Sequence, residues 1–167
     1  MSQVTSSNKA QVTLPSDQEI LIVREFDAPK HLVFEAYTKP EHVRRWWTAK
    51  RGEVTECEID LRVGGRWRYV MVTNEGGMEV AFHGEYREIV ENERLVSTEV
   101  YEGAPVPDPD AAGTLNTLTL TEENGRTTLE ILVQAPNQEV RDAIIASGME
   151  DGLQDALDLL EGVALSL

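Results

Sequence analysis

The chain has 167 residues, of which 41% are apolar, and it carries 15 lysine and arginine residues against 30 aspartate and glutamate residues. This length suits one folded domain that needs no disulfide or metal, and the composition excludes a chain that is disordered throughout. The net charge of −15 repels phosphate backbones and anionic lipid, so we expect neither a nucleic-acid partner nor membrane binding. The single cysteine, Cys57, excludes an internal disulfide. Because no apolar stretch resembles a signal peptide or a membrane span, we expect a cytoplasmic protein.

The chain begins with a polar segment, which is followed by a strand and two short helices. Residues 1–18 are mainly polar, and we expect them to form a disordered tail before a single domain at residues 19–167. The β-branched run at 19–26 predicts a strand. Pro29 suits the first turn of a helix that ends near Tyr37. A second short helix is predicted to end near Trp47, because Val43, Trp46 and Trp47 follow helical spacing.

Beyond Lys50 the apolar residues alternate with a period of two, and turn residues separate the runs at intervals typical of an antiparallel meander. Asn124-Gly125 is the clearest hairpin signal. Six strands are predicted here, at residues 53–59, 66–73, 78–90, 94–101, 114–121 and 126–133. The connection at 102–113 contains three prolines and is long enough to be a lid, although a solvated loop explains it equally well.

After Pro136 the pattern changes to that of one long helix, from Asn137 to about Val163, with an apolar stripe that must be buried. A seven-stranded antiparallel sheet with one apolar face buries that stripe by curving around the helix. The predicted fold class is therefore α+β, in the order β-α-α-β6-α. A curved sheet that wraps a single helix leaves space at its ends, and such a space is suited to a small ligand.

Five groups of residues stand in a characteristic order between residues 19 and 163. They are Arg24-Glu25-Phe26-Asp27-Ala28-Pro29, Trp46-Trp47, Asp60-Leu61-Arg62-Val63-Gly64-Gly65, Gly84-Glu85-Tyr86 with Glu93-Arg94-Leu95-Val96, and Gly148-Met149. Together they resemble the activator-of-heat-shock-protein-90-ATPase homologue family of the START-like SRPBCC superfamily. The resemblance implies the helix-grip fold. It implies binding of hydrophobic small molecules, modulation of a chaperone ATPase through protein contacts, or polyketide cyclase or hydrolase activity.

The aromatic residues and the predicted inward-facing aliphatic residues are the candidate ligand-binding set. Aromatic side chains also dominate protein cores, so a filled interior is an equal alternative to a cavity. The candidate ligand-binding residues are Trp46, Trp47, Trp67, Tyr69, Met71, Phe82, Tyr86, Tyr101, Leu118, Leu129, Ile131, Met149 and Leu153.

Basic residues outnumber acidic residues between Arg44 and Arg68, in a chain that is otherwise strongly acidic. Arg45 and Arg51 are candidate anion-binding residues, because a guanidinium group suits a carboxylate or phosphate on an otherwise apolar ligand. The alternative is a solvated surface on which these arginines pair with neighbouring acids.

No motif for a metal, a nucleotide or a nucleophile is present, so no cofactor, metal site or catalytic residue is assigned. His83, Glu85 and Tyr86 form an acid/base group only if a bulge at Gly84 brings them to one face of their strand. The leading hypothesis is a binding protein for a hydrophobic, aromatic or anionic small molecule. The alternatives are a protein-interaction module that acts on a chaperone, and a polyketide cyclase-like or hydrolase-like enzyme.

Overall fold

The computed structural model describes residues 8–103 and 113–167, and these contain eight strands and four helices. The strands are β1 (Gln11–Thr13), β2 (Glu19–Phe26), β3 (Gly52–Ile59), β4 (Arg66–Thr73), β5 (Glu79–Val90), β6 (Arg94–Tyr101), β7 (Thr114–Glu123) and β8 (Arg126–Gln134). The helices are α1 (Lys30–Thr38), α2 (Pro40–Val43), α3 (Gln138–Ala146) and α4 (Met149–Leu165). Most of the predicted loop at 102–113 lies outside the described residues.

The strands form one antiparallel sheet in the order β1-β2-β8-β7-β6-β5-β4-β3. Strand β2, which precedes the helices, pairs along its whole length with the late strand β8, from Glu19 opposite Gln134 to Phe26 opposite Thr127. This long-range pairing brings the two ends of the domain together. The predicted α+β architecture, with a curved antiparallel sheet and a C-terminal helix, is confirmed. The described residues contain eight strands where the sequence predicted seven.

The additional strand lies in the segment that was expected to be a tail. Residues Gln11–Thr13 pair with Val23–Leu21 of β2, and the neighbouring Asn8 and Ala10 are buried. Apolar contacts of Ala10 and Val12 with the core hold this segment, as does Gln154 of α4, which bonds to both the amide and the carbonyl of Ala10. Composition alone therefore misjudged residues 8–13, since Gln154 and Glu161 of α4, which hold Ala10 and Asn8, are more than a hundred positions away.

The predicted C-terminal helix is two helices, and the predicted second helix is shorter than expected. Gly148 adopts a left-handed conformation with φ of 81°, which ends α3 and starts α4 in a new direction. Asn137 caps α3 as expected, since its side chain accepts a hydrogen bond from the Val140 amide at 2.9 Å. Helix α2 ends at Val43, and hydrogen-bonded turns carry the chain through Trp46 and Trp47.

Helix α4 lies against the apolar face of the sheet, which we call the inner face, and against α1. Leu157, Leu160 and Ala164 are at most 2% exposed and belong to the same core as Leu129 of β8 and Val33 of α1. Burying such side chains contributes about 1.5–3 kcal/mol each for a leucine. The second half of α4 is thus fixed in the core.

A buried ion pair also holds α4 to the sheet. Arg24 of β2 is fully buried, and its Nη2 donates to Asp158 and lies 3.4 Å from Oε1 of Glu161, whose side chain is 2% exposed. The other carboxylate oxygen of Glu161 accepts hydrogen bonds at 2.8 Å from the Asn8 side chain and the Asp27 amide. Because Arg24 and Glu161 have both left water, while Asp158 is 58% exposed, removal of Glu161 leaves buried groups unsatisfied.

We therefore predict that Glu161→Ala destabilises the fold by about 3–5 kcal/mol, because it leaves the buried Arg24 with only the exposed Asp158 as a counter-charge and removes the acceptor of Asn8 and of the Asp27 amide. Denaturant unfolding measures this loss. Asp155→Ala is the matched control. Asp155 of α4 also pairs with an arginine, Arg51, but both side chains of that pair are about half exposed. The control should lose about 1 kcal/mol or less. Equal losses in the two variants would contradict a special role for the buried pair.

Candidate functional site

Strand register brings the predicted aromatic residues together on the inner face. Cross-strand neighbours share a face of a sheet, and Tyr69 lies opposite Cys57 on one side and Phe82 on the other. Trp67 lies opposite Gly84, and a Cβ at Gly84 would be 2.5 Å from the indole Nε1. Glycine at this position therefore lets the indole ring lie close to the strand.

Most of the candidate ligand-binding residues lie in or against the core, but to different depths. Seven are buried in it: Trp46, Trp67, Tyr69, Tyr86, Leu118, Leu129 and Ile131. Four are partly buried and pack against it: Trp47, Phe82, Met149 and Leu153. The remaining two are outside this cluster, since Met71 is only partly buried and Tyr101 is 42% exposed.

The aromatic rings contact one another in a continuous group. The centroid of Tyr69 is 4.7 Å from that of Trp67 and 5.3 Å from that of Trp47, which is also 5.9 Å from Phe82. Trp46 stacks on Tyr37 of α1 at 5.2 Å. These distances are those of favourable aromatic pairs, so the rings support one another's positions.

The structure reveals an acidic residue on the inner face that sequence reasoning missed. Glu99 of β6 is two residues from Tyr101 and lies opposite Thr114 of β7, and its Oε1 accepts a hydrogen bond from Asn116 at 2.9 Å. Asn116 is held in turn by the Thr114 hydroxyl at 2.9 Å. Burial raises the pKa of Glu99, and the hydrogen bond from Asn116 opposes this only in part. Glu99 nevertheless keeps part of its surface accessible.

Three buried tyrosines lie in this part of the core, and two of them, Tyr37 and Tyr69, are close enough to Glu99 to respond to its charge. Burial is the main cause that raises the pKa of Tyr37, Tyr69 and Tyr86, and the charge of Glu99 contributes for the first two. Within residues 8–103 and 113–167 none of the three hydroxyl groups makes a hydrogen bond, and the fully buried side-chain atoms without a partner are Arg24 Nε and the Trp67 indole Nε1. Cys57 is a further neighbour, and burial raises the pKa of its thiol to about 11, so it is not a reactive thiolate.

The candidate anion-binding arginines lie outside this group. Arg51 pairs with Asp155 of α4 at 2.9 Å, and Arg45 donates to the Ser166 hydroxyl at 3.4 Å. The structure thus connects them to the exposed side of α4. The contact between Arg51 and Asp155 places the turn that carries Trp47 beside the first two turns of α4.

The opposite, outer face of the sheet carries a balanced charge cluster. Arg68 donates to Glu56 at 2.9 Å and to Glu102 at 2.8 Å, and His83 Nδ1 lies 2.9 Å from Glu102. The Arg68 and His83 contacts lower the pKa of Glu102 to about 2. His83 is thus on the face opposite Tyr86, and the strand has its bulge after Tyr86 rather than at Gly84, so the acid/base group considered for His83, Glu85 and Tyr86 does not form.

Two open depressions lie on this side of the molecule. One, of about 310 Å³, is lined by the charge cluster together with Trp67 and Gly84. The other, of about 420 Å³, is formed by the connection between β3 and β4. Their polar linings do not include the other aromatic candidates.

Among the residues that the structure describes, no group of three or more His, Cys, Asp or Glu side chains is arranged to hold a metal ion. No helix in the described ranges is long and apolar enough to span a membrane.

We predict that Glu99→Gln raises the free energy of unfolding at neutral pH. A carboxyl group whose pKa is raised by folding binds its proton more tightly in the folded state, so its contribution falls as pH rises above the ordinary value near 4.5. Glutamine removes that loss. Urea unfolding between pH 5 and 8 should show a flatter profile for the variant than for the wild type. Glu130→Gln, which removes an exposed carboxylate of β8, is the control and should leave the profile unchanged.

Comparison with known proteins identifies the fold and the family. A protein of Rhodobacter sphaeroides is 27% identical, with a TM-score of 0.85 over 95% of this chain and 100% of that chain. A protein of Chromobacterium violaceum is 26% identical, with a TM-score of 0.77 over 89% of this chain and 98% of the other. A solution structure from Arthrobacter aurescens, at 24% identity, has a TM-score of 0.80 over 94% and 92% of the two chains.

No curated protein matches the sequence. The fold supports a ligand-binding domain in general, and it is compatible with a small molecule or a protein as the partner. The model of one family matches residues 27–164, which is most of the chain. The chain belongs to the family described as activator of Hsp90 ATPase homolog 1-like protein.

Proposed function

We propose that this protein binds a hydrophobic small molecule between the inner face of the sheet and the first half of α4. The observation that carries the proposal is the presence of polar groups without partners inside an aromatic surface. Oε2 of Glu99 and the hydroxyls of Tyr37, Tyr69 and Tyr86 make no hydrogen bond within the described residues, so each can pair with a group from outside the chain. A ligand with an apolar body and a polar end satisfies both surfaces at once.

Differences in burial along α4 support an entrance at its N-terminal end. Met149 and Leu153 in its first turns are only partly buried, whereas Leu157 and Leu160 further along are buried completely. Trp47 and Phe82 are also only partly buried, and Arg51 brings the turn after Trp47 to Asp155. Apolar side chains that keep accessible surface beside a closed core are the expected lining of a ligand entrance.

Titration with N-phenylnaphthylamine, a neutral probe that fluoresces in apolar surroundings, tests this proposal. We expect saturable binding of one probe per chain with quenching of tryptophan fluorescence, because Trp47 lies at the proposed entrance. Leu153→Trp should weaken binding by about tenfold or more, since the larger ring occupies the space. Ile145→Trp is the matched control, because Ile145 is 38% exposed on α3, and this variant should bind normally.

Native mass spectrometry of the protein as isolated is the second measurement, and a retained small molecule would identify the natural ligand class. Absence of saturable probe binding in a folded sample would refute the proposed function. Equal binding by Leu153→Trp and the wild type would place the probe elsewhere on the surface and would refute the proposed location.

A further inference from the structure

On the basis of the proposed function, we propose that the preferred ligand is a lipophilic amine whose ammonium group pairs with Glu99. The inference concerns the chemical class of the ligand, which neither the fold nor the family specifies. It depends on how the inner-face carboxylate is held and on which charges surround it.

The carboxylate is positioned but not neutralised. Asn116 donates to Oε1 of Glu99, and Thr114 donates to the Asn116 carbonyl oxygen, so the amide presents its NH₂ group to the carboxylate. Glu99 makes no ion pair within the described residues, and its other oxygen, Oε2, accepts no hydrogen bond there. A carboxylate fixed in this way has one side prepared for a donor from outside the chain.

The groups that face Glu99 supply no positive charge. The exposed Arg44 acts on Cys57 of β3, but no cation is among the causes that shift the pKa of Glu99. The neighbours of Glu99 are Tyr37 from α1, Tyr69 from β4, and Thr114 and Asn116 from β7. None of these side chains is a base at neutral pH. An unpaired carboxylate in a low-dielectric interior is strongly unfavourable, and a ligand cation relieves that penalty directly.

The surrounding rings and the overall charge favour the same class of ligand. The faces of tryptophan and tyrosine attract cations, and the ring of Tyr69 lies 5.3 Å from that of Trp47 and 4.7 Å from that of Trp67. The net charge of −15 concentrates cations around the molecule. A ligand carboxylate would add a second negative charge beside Glu99. Arg45 and Arg51, the residues that favoured an anionic ligand, have exposed partners on α4 and in the C-terminal turn.

Three matched compounds test the inference: naphthylmethylamine, naphthalenemethanol and naphthoic acid, each with its substituent at the same ring position. Each competes with the neutral probe N-phenylnaphthylamine at pH 8. We expect the amine to bind about tenfold more tightly than the alcohol, and the acid to bind most weakly. Because protonation of Glu99 removes the negative charge while the amine stays charged, the preference for the amine should decrease as the pH falls.

Glu99→Gln should remove the preference for the amine and leave the alcohol and the neutral probe bound as before. Glu102→Gln is the control, because it removes a carboxylate from the outer face near the end of the same strand and should retain the preference. The pH series on the wild type gives the same information if Glu99→Gln does not fold. Failure of the neutral probe to bind would refute the proposed function itself. Probe binding with equal or weaker affinity for the amine than for the alcohol would refute only the present inference.

Discussion

The contact between Arg24 and Glu161 is the constraint on which the arrangement of helix and sheet depends. Apolar contacts hold a helix against a sheet without fixing its position along its axis, whereas an ion pair with hydrogen bonds at 2.8 Å to Asn8 and the Asp27 amide has one geometry. Its desolvation is unfavourable and is offset only when all partners are in place. The pair therefore contributes to a specific position of α4 more than to a large gain in stability.

The ion pair between Arg24 and Glu161 lies in the second half of α4, so the two halves of this helix are held differently. The residues around Glu161 are fully buried, while Met149 and Leu153 at the other end retain accessible surface. A curved sheet that closes tightly on one end of a helix has more room at the other end. Trp47 and Phe82 pack against the same core as this freer half, and Glu99 is close enough to Tyr69 of that core to affect its pKa. The binding site that we propose thus follows from an asymmetry in how the helix is fixed.

Alternation along the chain was sufficient to predict most strands, because inner-face residues such as Leu129 and Ile131 are apolar at every second position. Alternation did not predict the structure of segments that are held by residues distant in the sequence. The segment at Gln11–Thr13 is polar and becomes a strand only because β2 and Gln154 of α4 are beside it. Gly148 stood within the single helix that was predicted, and its positive φ is what divides that helix in two.

Prediction from the sequence has the same limit for the charged residues of the site. Arginines close to the tryptophans in sequence suggested an anion site, since sequence proximity was the available guide to spatial proximity. In the folded chain Arg51 pairs with Asp155, and Arg68 with Glu56 and Glu102, so these charges are already balanced. Glu99 stood among ordinary strand residues, and only the register between β6 and β7 places Asn116 beside it. A cluster of like charges along the sequence therefore predicts little about the interior, because alternate residues of a strand lie on opposite faces of the sheet. The charge that matters for a ligand is the one that the fold buries and leaves unpaired.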